Sequence, residues 1–149
     1  MVFTPMNFEW LKLRIQEEKD RRQREAEVLE RLPRTLEEMH RALVDCVQAY
    51  TLAFGSEAAD IVLLPAKIVA TVKELRDAGW QLASTVEVSV VPSIPGYRID
   101  RGEVSMMIEL GLLAGEKVFY RDLEQNKYLT MEELTRRVLD RSFFPKLQA

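Results

Sequence analysis

The stretch IQEEKDRRQRE at residues 15–25 carries four acidic and four basic side chains, yet it lies inside an apolar pattern with helical spacing. Apolar residues before and after it recur at alternating intervals of three and four, so they share one helical face. The helical register therefore runs through the charged stretch, which predicts a helix anchored at both ends and solvated in its middle. The apolar residues on this face are Phe8, Leu11, Ile15, Leu29 and Leu32.

Acid-to-base pairs four residues apart support the solvated part of this helix. Each such pair adds a few tenths of a kcal/mol, about 0.2–0.5, to helix formation. The charged interruption argues against a coiled coil, which needs a sustained apolar seam. Pro33 is expected to end the helix, because proline removes a backbone donor. The expected pairs are Glu17–Arg21, Glu18–Arg22 and Asp20–Arg24.

A second helix is predicted after Pro33. Thr35 and Glu38 have the spacing of a capping box, and Gly55 stands where a left-handed residue often ends a helix. The segment between them shows one continuous apolar face. Its residues are Leu36, Met39, Leu43, Val47, Tyr50 and Phe54.

Short segments rich in β-branched and aromatic residues follow Gly55, separated by turn signals. Val86, Val88 and Val90 alternate with polar residues, which is typical of an antiparallel sheet with one covered face. We expect a meander of about four strands. For residues 65–78 a strand is preferred, and a helix that ends at Gly79 remains the alternative.

The end of the chain predicts a helix packed on one face of the sheet. Thr130 and Glu133 form a second capping box, an apolar face follows them, and Pro145 ends the helix. The expected fold is therefore α+β, with two N-terminal helices, the meander and this C-terminal helix. Residues 1–33 are expected to form a long charged helical arm, and residues 34–149 a single α+β domain.

Composition excludes several functional classes. His40 and Cys46 are the single residues of their types, which argues against a zinc site and an intramolecular disulfide. No glycine-rich phosphate-binding motif occurs, so no cofactor or metal is expected. The net charge of −3 and the matched charges of the first helix argue against nucleic acid. No apolar run approaches the roughly 20 residues of a membrane span, and no secretory signal precedes the first helix, so we expect a cytoplasmic protein.

The leading hypothesis is a homodimeric interaction or adaptor protein without catalysis. A first helix of roughly 39 Å would overhang a compact domain roughly 30 Å wide, and a second subunit or another protein would bury its apolar end. Tyr97, in the distinctive loop PSIPGYRID, is either an exposed anchor or a core residue beside a type II turn at Pro95-Gly96. The expected interaction residues are Phe8, Trp10, Leu11, Ile15 and Tyr97.

The alternative hypothesis is an enzyme or a small-molecule-binding protein that uses the polar face of the sheet. Glu87 and Glu109 both lie on polar faces of predicted strands. If those strands pair, one carboxyl group would have a raised pKa, as in acid–base sites. Tyr97 would complete this site.

Overall fold

The computed structural model describes residues 6–114 and 117–148, which form one long helix, a seven-stranded sheet and a shorter helix. The α+β class and the antiparallel meander are confirmed, and the segment 65–78 is a strand. The helices are α1 (Glu9–Phe54) and α2 (Met131–Phe143), followed by a 3-10 turn at Pro145–Leu147. The strands are β1 (Ala59–Leu64), β2 (Lys67–Arg76), β3 (Gly79–Val91), β4 (Gly96–Arg101), β5 (Val104–Leu112), β6 (Val118–Asp122) and β7 (Lys127–Leu129).

The seven strands pair in chain order, each antiparallel to the next, so the prediction of about four strands is wrong. Two strands had no recognisable signal. β4 lies inside the proline- and glycine-containing loop sequence, and β7 is too short, at 3 residues, to show alternation. β4 pairs with β3 and β5 at the centre of the sheet, and β7 pairs with β6 at its edge, so backbone hydrogen bonding rather than side-chain pattern defines both strands.

The prediction of two N-terminal helices is also wrong, because α1 continues through Pro33 as one helix of 46 residues. A proline inside a helix costs about 3 kcal/mol. Burial of one large apolar side chain contributes roughly 1.5–3 kcal/mol, so several such residues on one face outweigh that cost. The buried apolar residues of α1 are Val28, Leu32, Leu36, Met39, Leu43 and Val47.

Thr35 therefore lies in the middle of α1 and is not the N-cap that its capping-box spacing predicts. Its hydroxyl donates towards the carbonyls of Arg31 and Leu32, at 3.0 and 3.1 Å. The Tyr97 hydroxyl hydrogen-bonds to Thr35 and donates to the Leu32 carbonyl at 3.1 Å. This buried polar contact joins the helix, next to its proline, to the centre of β4. Burial raises the pKa of Tyr97 to about 12.

The two helices lie on the same face of the sheet, and together they enclose the core. In the helix-facing rows, Ile68, Val88, Ile99 and Ile108 are all buried on neighbouring strands. The capping box predicted for α2 is confirmed, since the Thr130 hydroxyl accepts from the Glu133 backbone N–H at 3.1 Å. The opposite face of the sheet has no helix over it among the described residues.

Gly96 is the first residue of β4 and is not part of a type II turn. Its φ is not positive, and the Ile94–Pro95 peptide bond before it is cis. The glycine is nevertheless needed, because a Cβ atom at this position would collide with the carbonyl oxygen of Ile108 on β5. The predicted type II turn is therefore wrong. Position 96 still requires glycine, but the cause is the close approach of β5 and not a positive φ.

We expect Tyr97→Phe to lower the free energy of unfolding by at least about 1 kcal/mol, because it removes the buried hydrogen bonds of Tyr97 with Thr35 and with the Leu32 carbonyl. The matched control is Tyr128→Phe, at a side chain that is 61% exposed, and its effect should stay within about 0.5 kcal/mol. Urea denaturation measures both. Equal effects of the two substitutions would show that the contact between β4 and α1 does not stabilise the fold.

Candidate functional site: the helical arm and the α1–α2 groove

The first part of α1, residues 9–27, leaves the rest of the fold as a helical arm. Burial against the sheet begins at Val28. Before it, every side chain of the arm is exposed except Glu18 and Glu25, which are partly buried within the arm's own ion pairs. At 1.5 Å per residue the arm extends roughly 28 Å. One continuous helix thus has a part that packs on its own sheet and a part that reaches into solvent.

The tip of the arm, residues 8–15, carries five large apolar side chains. At about 100° per residue, Phe8, Leu11 and Ile15 lie on one side of the helix. Trp10 and Leu13 lie on nearly the opposite side. Their exposed fractions are 50% for Phe8, 65% for Trp10, 41% for Leu11, 64% for Leu13 and 48% for Ile15. Apolar residues on two sides of a helix are typical of a helix that is buried on both sides.

The middle of the arm is stabilised by its own charges. Arg21 lies between Glu18 and Glu25, with N–O distances of 2.7 and 2.6 Å, and Arg22 adds a contact to Glu18. Hydrogen bonds from Arg21 and Arg22 lower the pKa of Glu18 to about 2. The expected pair Glu18–Arg22 is confirmed. In place of the other two expected pairs, Glu17 contacts Arg14 and Asp20 accepts from Gln16.

An apolar groove with a volume of about 580 Å³ lies between the second half of α1 and α2. Tyr50 of α1 stacks on Phe143 with ring centroids 4.1 Å apart, and Phe54 and Phe144 extend this aromatic wall. Ala49 and Ala53 form its open side, so the groove is not filled by side chains. Cys46 is partly exposed at its edge.

The structure does not bring together the three residues of the alternative site. β4 lies between β3, which carries Glu87, and β5, which carries Glu109. Glu87 contacts Lys67 at 3.6 Å and Glu109 contacts Arg121 at 2.9 Å, so each carboxylate has its own base. Tyr97 faces the helices and is fully buried. It therefore belongs to the core and offers no surface to a partner.

Sequence reasoning missed the groove, and the expected interaction residues did not include Leu13, although it belongs to the apolar pattern of the tip. The apolar patterns of α1 and α2 do not indicate where α2 stops covering α1, so the sequence carries no signal for the groove. Among the described residues, no group of His, Cys, Asp or Glu is arranged to hold a metal ion. In the same part of the chain, no helix combines the length and apolarity that crossing a membrane requires.

No family model matches this chain, and no significant match was found among curated proteins or solved structures. The assignment of function therefore depends on the geometry of the arm and the groove.

The lowered pKa of Glu18 predicts an acid-sensitive arm. The ionised Glu18 carboxylate stabilises the folded helix at pH values above 4.5, the ordinary pKa of the group. This contribution to stability is lost as the pH falls from 4.5 towards about 2. We expect Glu18→Gln to reduce helix content at neutral pH and to flatten its decrease in acid, as measured by far-ultraviolet circular dichroism. The control is Glu37→Gln, at an exposed α1 position. Identical acid profiles for the two variants would contradict a stabilising role for the Glu18 pairs.

Proposed function

We propose that this protein is an assembly module, in which the helical arm of one chain binds a second copy of the same chain. The observation that carries the proposal is the tip: five large apolar side chains stand in solvent, roughly 20–30 Å beyond Val28, the nearest core residue of the helix. Each would gain roughly 1.5–3 kcal/mol from full burial. An exposed apolar end is unfavourable in water, and burial against another surface would remove this cost.

The α1–α2 groove supplies a matching surface on the same chain. Phe8, Leu11 and Ile15 have the i, i+3, i+7 spacing with which an amphipathic helix enters an apolar groove. The groove is lined by aromatic and small apolar residues along its length, and acidic Glu132 and Glu133 lie at its rim. Lys12 and Arg14 lie beside the apolar face of the tip, and their positive charges complement the negative charges of that rim.

The positions of tip and groove suit a closed dimer. They lie at opposite ends of α1, since the tip ends at residue 15 and the α1 wall of the groove begins at Cys46. Two antiparallel copies would therefore place each tip beside the other chain's groove. Such an exchange satisfies the two-fold symmetry that most homodimers have, and it leaves no unmatched surface to form fibres.

The first experiment measures molar mass by light scattering after size exclusion. We expect a dimer for the full chain and a folded monomer for a chain that begins at Ala26, which keeps the buried residues of α1. Replacing Phe8, Leu11 and Ile15 with serine should also give a monomer. The control replaces the exposed polar arm residues Gln16, Lys19 and Gln23 with serine and should remain dimeric. A full chain that is monomeric at micromolar concentrations would overturn the proposal.

A mixing experiment distinguishes the tip-to-groove exchange from a dimer held by tip-to-tip contact. Ala49→Glu with Ala53→Glu places charge in the open side of the groove and should abolish the dimer. The control Leu52→Glu lies outside the groove at an 89% exposed position and should not. An equimolar mixture of the groove variant and the triple-serine tip variant should form a weaker dimer, because one intact tip meets one intact groove. Failure of the mixture to associate, although the full chain dimerises, would favour tip-to-tip contact.

A further inference from the structure

A second cavity lies on the other flank of α2, between this helix, the β4–β5 hairpin and the β6–β7 turn. It has a volume of about 450 Å³, within the usual range of small-molecule sites. No aromatic residue lines it, and polar surface predominates. The cavity is therefore unlike the apolar groove in composition, although Glu133, Arg136 and Asp140 of α2 line both.

Cations outnumber acids around this cavity. Five basic residues face three acidic ones, Glu124, Glu133 and Asp140. Two of these acids already contact a base: Glu133 lies 3.4 Å from Lys127, and Asp140 lies 3.5 Å from Arg136. The basic residues are Arg101, Lys127, Arg136, Arg137 and Arg141.

Arg101 has little compensation for its charge. Its Nε and Nη1 atoms are buried and have no hydrogen-bond partner among the described residues. Its Nη2 atom donates to the carbonyl of Arg137 at 3.2 Å, which provides no counter-charge. Burial and the nearby Arg141 lower the pKa of Arg101, and the negative charge of Asp140 offsets part of this effect. A partly buried guanidinium without a carboxylate partner is costly, and such groups are usually paired.

Arg137 is fixed in place beneath the cavity. Its Nη1 atom lies 2.9 Å from Oδ2 of Asp122, a residue that is 1% exposed, in an ion pair that is not aligned as a hydrogen bond. Its Nη2 atom donates to Gln125 at 2.8 Å. The other Asp122 oxygen accepts from the backbone N–H groups of Glu124 and Gln125. The β6–β7 turn and α2 are thereby connected, and one wall of the cavity is rigid.

We propose that this cavity is a binding site for a small anion that carries several phosphate or carboxylate groups. Arg101 and Arg141 form no ion pair with the described residues and would supply the charge. Arg137 would keep the β6–β7 turn and α2 in position around the ligand. The absence of aromatic residues in the lining favours a ligand without an aromatic ring. Oxyanions are the usual partners of clustered guanidinium groups, with which they form short, charge-assisted hydrogen bonds.

Isothermal titration calorimetry on the full chain, with pyrophosphate and citrate as separate probes, tests the proposal. We expect at least one probe to bind at millimolar concentrations or below. Tighter binding of pyrophosphate would indicate a phosphate ligand, and tighter binding of citrate a polycarboxylate. The absence of binding by both would overturn the proposal.

Substitutions locate the site. Arg101→Met and Arg141→Met should each weaken binding by about tenfold or more, whereas Arg76→Met, on the distant β2–β3 hairpin, should not change it. Arg101→Met should also leave the melting temperature of the ligand-free protein unchanged or raise it, because the substitution removes an uncompensated charge. A purely structural arginine would lower that temperature. Unchanged affinity in Arg101→Met and Arg141→Met would overturn the proposal, since binding would then be an adventitious effect elsewhere on the surface.

Discussion

The packing of one face of α1 on the sheet determines the rest of this structure. It keeps the helix intact through Pro33, and it covers the central strands with apolar side chains from Val28 to Val47. Because a helix of this length is stiff, the same contact also directs the arm. The direction of residues 9–27 follows from residues 28–47, and no contact within the arm itself is needed to set it.

The same helical face runs along the arm and along the packed part of α1. The residues on this face determine which part of the helix packs on the sheet. From Leu32 onwards the positions at alternating threes and fours are apolar, including Leu36 and Met39, and they pack on the sheet, whereas Leu29 before them is exposed. On the arm the corresponding positions are Glu18, Arg22 and Glu25, which form ion pairs along the helix. Burial of these charges would cost more than their pairs return. The arm therefore stays away from its own sheet, and the apolar tip is presented at a distance from it.

The sequence predicts those features that depend on local periodicity. The α+β class, the meander, the cap of α2 and the continuous register of the first helix all follow from patterns of two or of three to four residues. The errors arise where a long-range contact overrides a local rule. Thr35 has capping-box spacing, yet it lies on the face of α1 that packs on the sheet and is buried against Tyr97. Pro33 does not end the helix, because the residues before and after it in α1 pack on the sheet. The tip residues were identifiable from the sequence, whereas the groove required the placement of α2.

The short helix α2 forms a wall of both candidate sites. Glu133, Arg136 and Asp140 line the apolar groove on one flank and the cationic cavity on the other. Their substitution would alter both sites at once and would not distinguish assembly from anion binding. Residues that face a single site separate the two, and Ala49 and Arg101 meet this condition because each belongs to an element other than α2. The position of α2 in turn depends on Leu134 and Val138, which are fully buried against the sheet. Both sites therefore depend on the same core that supports the arm.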